Sequence, residues 1–187
     1  MEIVDLAIPE VKLLTPRRHG DARGWFSETW SARLMAERGL DLPFVQDNHA
    51  LSRPAYTLRG LHFQAPPYAQ TKLVRVVRGR ILDVAVDARR GSPTFGRHVK
   101  AELDAATGTQ ILVPKGFLHG YLTLEPDTEV LYKVDAFYSR AHDGGVSFAD
   151  PDLAIDWGVP AERILVSEKD AGLPRLAELA TPFTYDA

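Results

Sequence analysis

Apolar and polar positions alternate with a period of two along much of this chain. Leu82, Val84 and Val86 alternate with Asp83, Ala85 and Asp87, and Val130, Tyr132 and Val134 alternate with Glu129, Leu131 and Lys133. Successive side chains of a strand point to opposite faces, so each run predicts a strand with one face buried. Residues 72–77 and 81–87 flank Arg78-Gly79-Arg80, which predicts a hairpin turn between two strands. Turn signals recur at Gly91-Ser92-Pro93, Ala105-Ala106-Thr107-Gly108, Glu125-Pro126-Asp127 and Asp143-Gly144-Gly145. Short strands spaced about 8–12 residues apart predict a sandwich or barrel. Helix is sparse. One is expected from Ser31 to Arg38, with Ser31 as N-cap and Gly39 past its end. A shorter one is expected to begin at Ser167 and to stop at Gly172 and Pro174. Without a linker, repeat or low-complexity tract, residues 1–187 read as one domain.

Composition narrows the partners. The 187 residues carry 22 Lys and Arg against 25 Asp and Glu, a net charge of −3, so no overall field recruits nucleic acid or an anionic membrane. An anionic ligand must then be held by local Arg and Lys. The absence of Cys excludes disulfides, thiol catalysis and Cys-ligated zinc, and fits a cytoplasmic protein. No run of about 18 apolar residues occurs, and the acids Glu2 and Asp5 stand where a signal peptide would be basic, so neither a membrane span nor a signal peptide is expected.

Two blocks carry the chemistry. The first is Leu58-Arg59-Gly60-Leu61-His62-Phe63-Gln64 with Gln70-Thr71-Lys72 after it; in the second, Gly108, Pro114, Gly116 and His119 fall at the spacing of the second cupin motif. Together they predict an all-β double-stranded β-helix, the cupin or jelly-roll barrel, with a few short helices and a polar pocket inside. Metal-binding cupins supply His-x-His and a Glu from the first block. Here Gln64 replaces the second His, and Gln70 and Lys72 stand where the Glu would be. Gln is a weak ligand and Lys repels a divalent ion, so no metal and no other cofactor is expected.

The chain resembles the dTDP-4-dehydrorhamnose 3,5-epimerase family through Asp21-Ala22-Arg23-Gly24-Trp25-Phe26-Ser27-Glu28, Phe44-Val45-Gln46-Asp47-Asn48-His49, the block from Leu58 to Gln64, Lys72-Leu73-Val74-Arg75-Val76, Val113-Pro114-Lys115-Gly116-Phe117-Leu118-His119-Gly120, Tyr132-Lys133 and Ser167-Glu168-Lys169-Asp170. The likeness runs from about residue 5 to residue 176. It implies a metal-independent homodimer that inverts C3 and C5 of a dTDP-4-keto-6-deoxyhexose. It further implies His62 as base, Tyr132 as opposing acid, Asp170 as partner of the His, and Lys72 at the ketone oxygen. Substrate contacts carried over the same way are Arg23, Phe26, Glu28, Gln46, Asp47, Asn48, Arg59, His119, Tyr138 and Lys169. In the family the N-terminal strands cross to the partner subunit, so Arg23, Phe26 and Glu28 would serve the neighbouring site. Asp143, where relatives often carry Glu, is a departure, as is Ala50-Leu51-Ser52 after the Asn-His pair.

The residue types suit that reaction. Protons on C3 and C5 are acidic because the C4 ketone takes up the charge as an enolate, which calls for a base of near-neutral pKa and a cation at the oxygen. Taken singly, the same residues have plainer readings. His62 fits a hydrogen-bonded strand histidine, Tyr132 a core aromatic between two valines, and Ser167-x-x-Asp170 a capping box. Competing functions are an epimerase of C3 or C5 alone, a metal-dependent cupin oxygenase, and a non-catalytic sugar-nucleotide binder.

Overall fold

A computed structural model describes residues 1–185; the last two residues of the expected domain, 186 and 187, lie outside that range. The chain opens with β1 (Glu2–Asp5), β2 (Lys12–Thr15), β3 (His19–Asp21), β4 (Gly24–Phe26) and α1 (Ala32–Ala36). Then come β5 (Gln46–Ser52), β6 (Leu58–Gln64), β7 (Lys72–Arg78), β8 (Arg80–Asp87) and β9 (His98–Asp104). The remainder holds β10 (Gln110–Val113), β11 (Phe117–Thr123), β12 (Thr128–Val134), β13 (Asp143–Gly145) and α2 (Glu168–Ala171). These strands form a six-stranded sheet in the order β1-β2-β10-β7-β12-β5, a five-stranded sheet in the order β13-β6-β11-β8-β9, and a separate β3–β4 hairpin. The fold is a mainly antiparallel jelly roll of the cupin type with a few short helices, as the alternation and turn spacing predict.

Three apolar clusters hold the layers together. Val74, Val76, Ile111 and Val130 of the six-stranded sheet meet Ile81, Ala85, Phe117 and Tyr121 of the five-stranded sheet. Leu58, Leu61, Val84 and Val86 on the outer face of the five-stranded sheet are covered by the C-terminal segment through Leu153, Trp157, Leu176 and Phe183. Leu14, Leu73 and Leu112 on the outer face of the six-stranded sheet are covered by Met35 of α1 with Trp30, Leu34 and Phe44. Each fully buried Leu or Val in these layers is worth about 1.5–3 kcal/mol of transfer free energy.

Two local expectations change. Arg78-Gly79-Arg80 is not a hairpin turn, because β7 pairs with β10 and β12 while β8 pairs with β11 and β9. The connection steps from one sheet to the other. Gly79 makes it at φ 79°, and a Cβ there would lie 2.3 Å from the Thr128 hydroxyl. Nor is β8 half-buried, since Asp83 and Asp87 are both 0% exposed. The period of two is real, but each face is covered, one by the C-terminal segment and the other by the opposing sheet. Helix α1 spans less than the expected Ser31–Arg38, with Ser31 as its N-cap residue and Gly39 at φ 77° beyond it.

Candidate active site

Between the sheets lies a cavity of about 520 Å³, within the range of small-molecule sites. A bulge on β6 shapes its wall. His119 of β11 is opposite His62, and Tyr121 is opposite Arg59, so β6 uses one residue more than β11 between the two pairs. In a regular strand positions 59 and 62 face opposite ways; the extra residue turns both side chains to the cavity. Gly60 permits this. Its φ is 142°, and a Cβ there would lie 2.5 Å from Gly120 Cα.

His62 Nε2 lies 2.8 Å from Asp170 Oδ1, and Asp170 Oδ2 accepts the Gly60 amide at 3.2 Å. A carboxylate only accepts, so Nε2 carries the proton and Nδ1 keeps the basic lone pair. The Ser167 hydroxyl caps α2 by accepting the Asp170 amide at 3.1 Å, as the capping-box reading has it. The Asp170 side chain, however, turns inward, 4% exposed, to meet the imidazole. Burial lowers the His62 pKa and Asp170 opposes that shift; the net is downward, which leaves the ring neutral and basic at neutral pH.

The facing sheet supplies a cation and a phenol. Lys72 is opposite Val134 in the β7–β12 register, on the face shared with Tyr132. Desolvation lowers Lys72 to about 8, against the pull of Asp83 and Asp143 and with help from Lys169. Burial raises Tyr132, so its phenol stays protonated. On the opposite wall both Asp83 oxygens accept from His119 Nε2 at 3.0 Å. The cavity therefore has a neutral imidazole on one sheet, and a phenol and an ammonium on the other.

Lys169 of the cavity lining is linked to Asp143 and Tyr138, which lie outside that lining. Asp143 takes an ion pair from Lys169 and a hydrogen bond from the Tyr138 hydroxyl at 3.3 Å. The Asp143 carboxylate holds the Lys169 pKa above its ordinary value. Gln46 donates to Asn48 Oδ1 at 2.8 Å and accepts the Tyr138 amide at 3.3 Å. Gln64, 4% exposed, fastens the same loop on both sides of Tyr138. It donates to Phe137 O at 3.1 Å and to Tyr68 O at 2.7 Å, and accepts from the Ser139 amide at 2.7 Å. Its amide is thus engaged by main chain where a metal-binding cupin would hold a His. Among the described residues no group of three His, Asp or Glu is placed to hold a metal ion.

Of the expected residues, His62, Tyr132, Asp170, Lys72, Arg59, His119 and Lys169 converge on the cavity. Asp47 does not. It lies on the outer face of β5, ion-paired to Lys133 at 2.7 Å, because the strand alternation that turns Gln46 and Asn48 inward turns Asp47 out. Arg23, Phe26 and Glu28 also lie elsewhere. The Arg23 side chain is 90% exposed against Asp21, Phe26 is 70% exposed, and Phe26 and Glu28 border a separate hollow beside Met35. Sequence reasoning missed Asp83, Tyr121 and Gln64. An acid amid Leu82, Val84 and Val86 was the available sign for Asp83, read as a solvent-facing position.

The family model described as dTDP-4-dehydrorhamnose 3,5-epimerase matches residues 5–178. A dTDP-4-dehydrorhamnose 3,5-epimerase of Sinorhizobium fredii is 49% identical over 185 residues, covering 99% of this chain and 94% of that protein. The crystal structure of the enzyme so named from Bacillus anthracis, with TDP and PPi bound, has a TM-score of 0.89 at 46% identity and covers 93% of this chain and 98% of its own. That of the dTDP-6-deoxy-D-glucose-3,5-epimerase of Legionella pneumophila, in complex with dTDP-4-keto-L-rhamnose, has a TM-score of 0.94 at 38% identity, covering 100% of this chain and 99% of its own.

Proposed function

This chain belongs to the dTDP-4-dehydrorhamnose 3,5-epimerase family, and from that premise we propose how its cavity inverts C3 and C5 of dTDP-4-dehydro-6-deoxyglucose. His62 Nδ1 removes the proton next to the C4 ketone, and the electron pair moves onto O4 as an enolate. The Lys72 ammonium compensates that charge; a donor of this kind is worth roughly 2.7–4 kcal/mol. The Tyr132 phenol then returns a proton to the opposite face. Solvent takes the proton from His62 and restores the one on Tyr132. Asp170 holds the imidazole in the tautomer that can act as base and stabilises the imidazolium that forms.

The observation that carries this reading is the division of groups between sheets, with His62 and Asp170 on one side of the cavity and Tyr132 and Lys72 on the other. A ring between them meets a base on one face and an acid on the other. Arg59 and Lys169 bind the diphosphate, and Tyr138 with Gln46 and Asn48 receives the thymine. The exposed Arg23 and Phe26, with Glu28, support a homodimer in which the N-terminal strands complete the partner's site. Residues 1–187 act as one domain, since both outer sheet faces are covered by the chain's own flanking segments. A cytoplasmic location fits the lack of Cys, and no helix among the described residues is long and apolar enough to cross a membrane.

Incubating enzyme and keto sugar in D2O tests the proposal. Deuterium at both C3 and C5 is expected. Label at one carbon alone would replace it with a single epimerase, and no label would remove the acid–base role altogether.

A further inference from the structure

Among the described residues, the Tyr121 hydroxyl is the one buried side-chain polar atom with no hydrogen-bond partner. Tyr121 is 5% exposed, yet it lines the cavity together with Arg59, Lys72 and Tyr132. It stands on β11 two places beyond His119, so both side chains face the same way, and its register partner is Arg59. Its ring belongs to the inter-sheet core with Phe117 and Val130. Phe would fill that space equally well. The hydroxyl therefore adds nothing to the packing, and an unpartnered buried hydroxyl is unfavourable in the free protein.

Its surroundings say what it awaits. Burial drives the Tyr121 phenol far above its ordinary pKa; Tyr132 and Asp83 push the same way and Arg59 opposes them. The group is a neutral donor at any pH the protein meets. It lines the same cavity as its register partner Arg59 and as Tyr132 of the facing sheet, the residues placed above at the diphosphate and at the sugar carbons. In the proposed binding mode the oxygens offered between those two residues belong to the hexose.

We propose that Tyr121 is a substrate-binding residue whose hydroxyl donates a hydrogen bond to an oxygen of the sugar ring held between Arg59 and Tyr132. This deepens the proposed function and rests on it. The bond exists only in the complex, so it selects sugar nucleotides over the free nucleotide.

Tyr121→Phe separates the possibilities, with calorimetric titration of dTDP and of dTDP-glucose, and with thermal unfolding of the free protein. The variant should bind dTDP within about twofold of the parent and dTDP-glucose about 3- to 10-fold more weakly, the worth of one hydrogen bond. Its Tm should equal or exceed the parent's, because no bond is lost in the free state. Unchanged dTDP-glucose affinity, equal weakening of both ligands, or a Tm lower by several degrees would each overturn the inference. A parent protein that binds neither ligand is a separate result, and it would remove the proposed function along with the inference.

Discussion

Asp170 holds His62 through one carboxylate oxygen and the Gly60 amide through the other. His62 is thereby tied to the strand that carries it, at the bulge that turns it toward the cavity. Asp170→Asn keeps the shape but no longer compels Nε2 to carry the proton. Its kcat should fall by between about 10² and 10⁴, with dTDP affinity unchanged by titration.

With His62 and Lys72 in their proposed roles, the pH profile of kcat/KM should be bell-shaped. His62 acts unprotonated, so activity rises as pH passes its pKa, which burial places below 6.5. Lys72 acts protonated, so activity falls as pH passes about 8. The Asp83 charge raises the Lys72 pKa, and Asp83→Asn should therefore move the falling limb to lower pH while the rising limb keeps its place. A falling limb that stays near 8 in that variant would show that the carboxylate does not act on Lys72.

His62→Ala and Tyr132→Phe should differ in kind. Without the imidazole, deuterium uptake at both carbons is lost and dTDP still binds. Without the phenol, proton removal by His62 survives, so inversion slows more than exchange. NMR of the keto sugar in D2O reads both rates in one sample.

Gly60→Ala tests the bulge. The added methyl would meet Gly120 Cα at 2.5 Å and sit on a residue at φ 142°. We expect a loss of at least about 2 kcal/mol in denaturant unfolding, and an impaired base in whatever folded protein remains.

Much of this was legible in the sequence, and the parts that were not have identifiable causes. Strand β12 reads correctly because one face, Glu129 and Lys133, meets solvent and partners on β5, while Val130 and Val134 are buried. Strand β8 has the same period and misleads, since a sandwich with a polar interior hides charge on the side that usually meets water. The turn at Gly79 misleads for a related reason. A tight turn marks a change of direction, and the sequence does not say whether the next strand joins the same sheet or the facing one. Asp170 satisfied a local capping pattern, so its long-range partner His62 left no local trace. Gln64 reads in the sequence only as a non-ligand, because two of its three main-chain partners, Phe137 and Ser139, belong to a segment distant in the chain.

Because His62 and Tyr132, the proposed base and acid, belong to separate sheets, the spacing of those sheets acts as a gauge on the hexose. Stacked sheets lie about 10 Å apart, and the gap here is filled largely by Val76, Ile81, Val99 and Phe117, with the Tyr132 ring packed against them. Bulk added or removed at those apolar positions would alter the reach of the proposed acid and base to C3 and C5 unequally. Stereochemical outcome could thus drift through the hydrophobic interior while every polar residue stayed as it is.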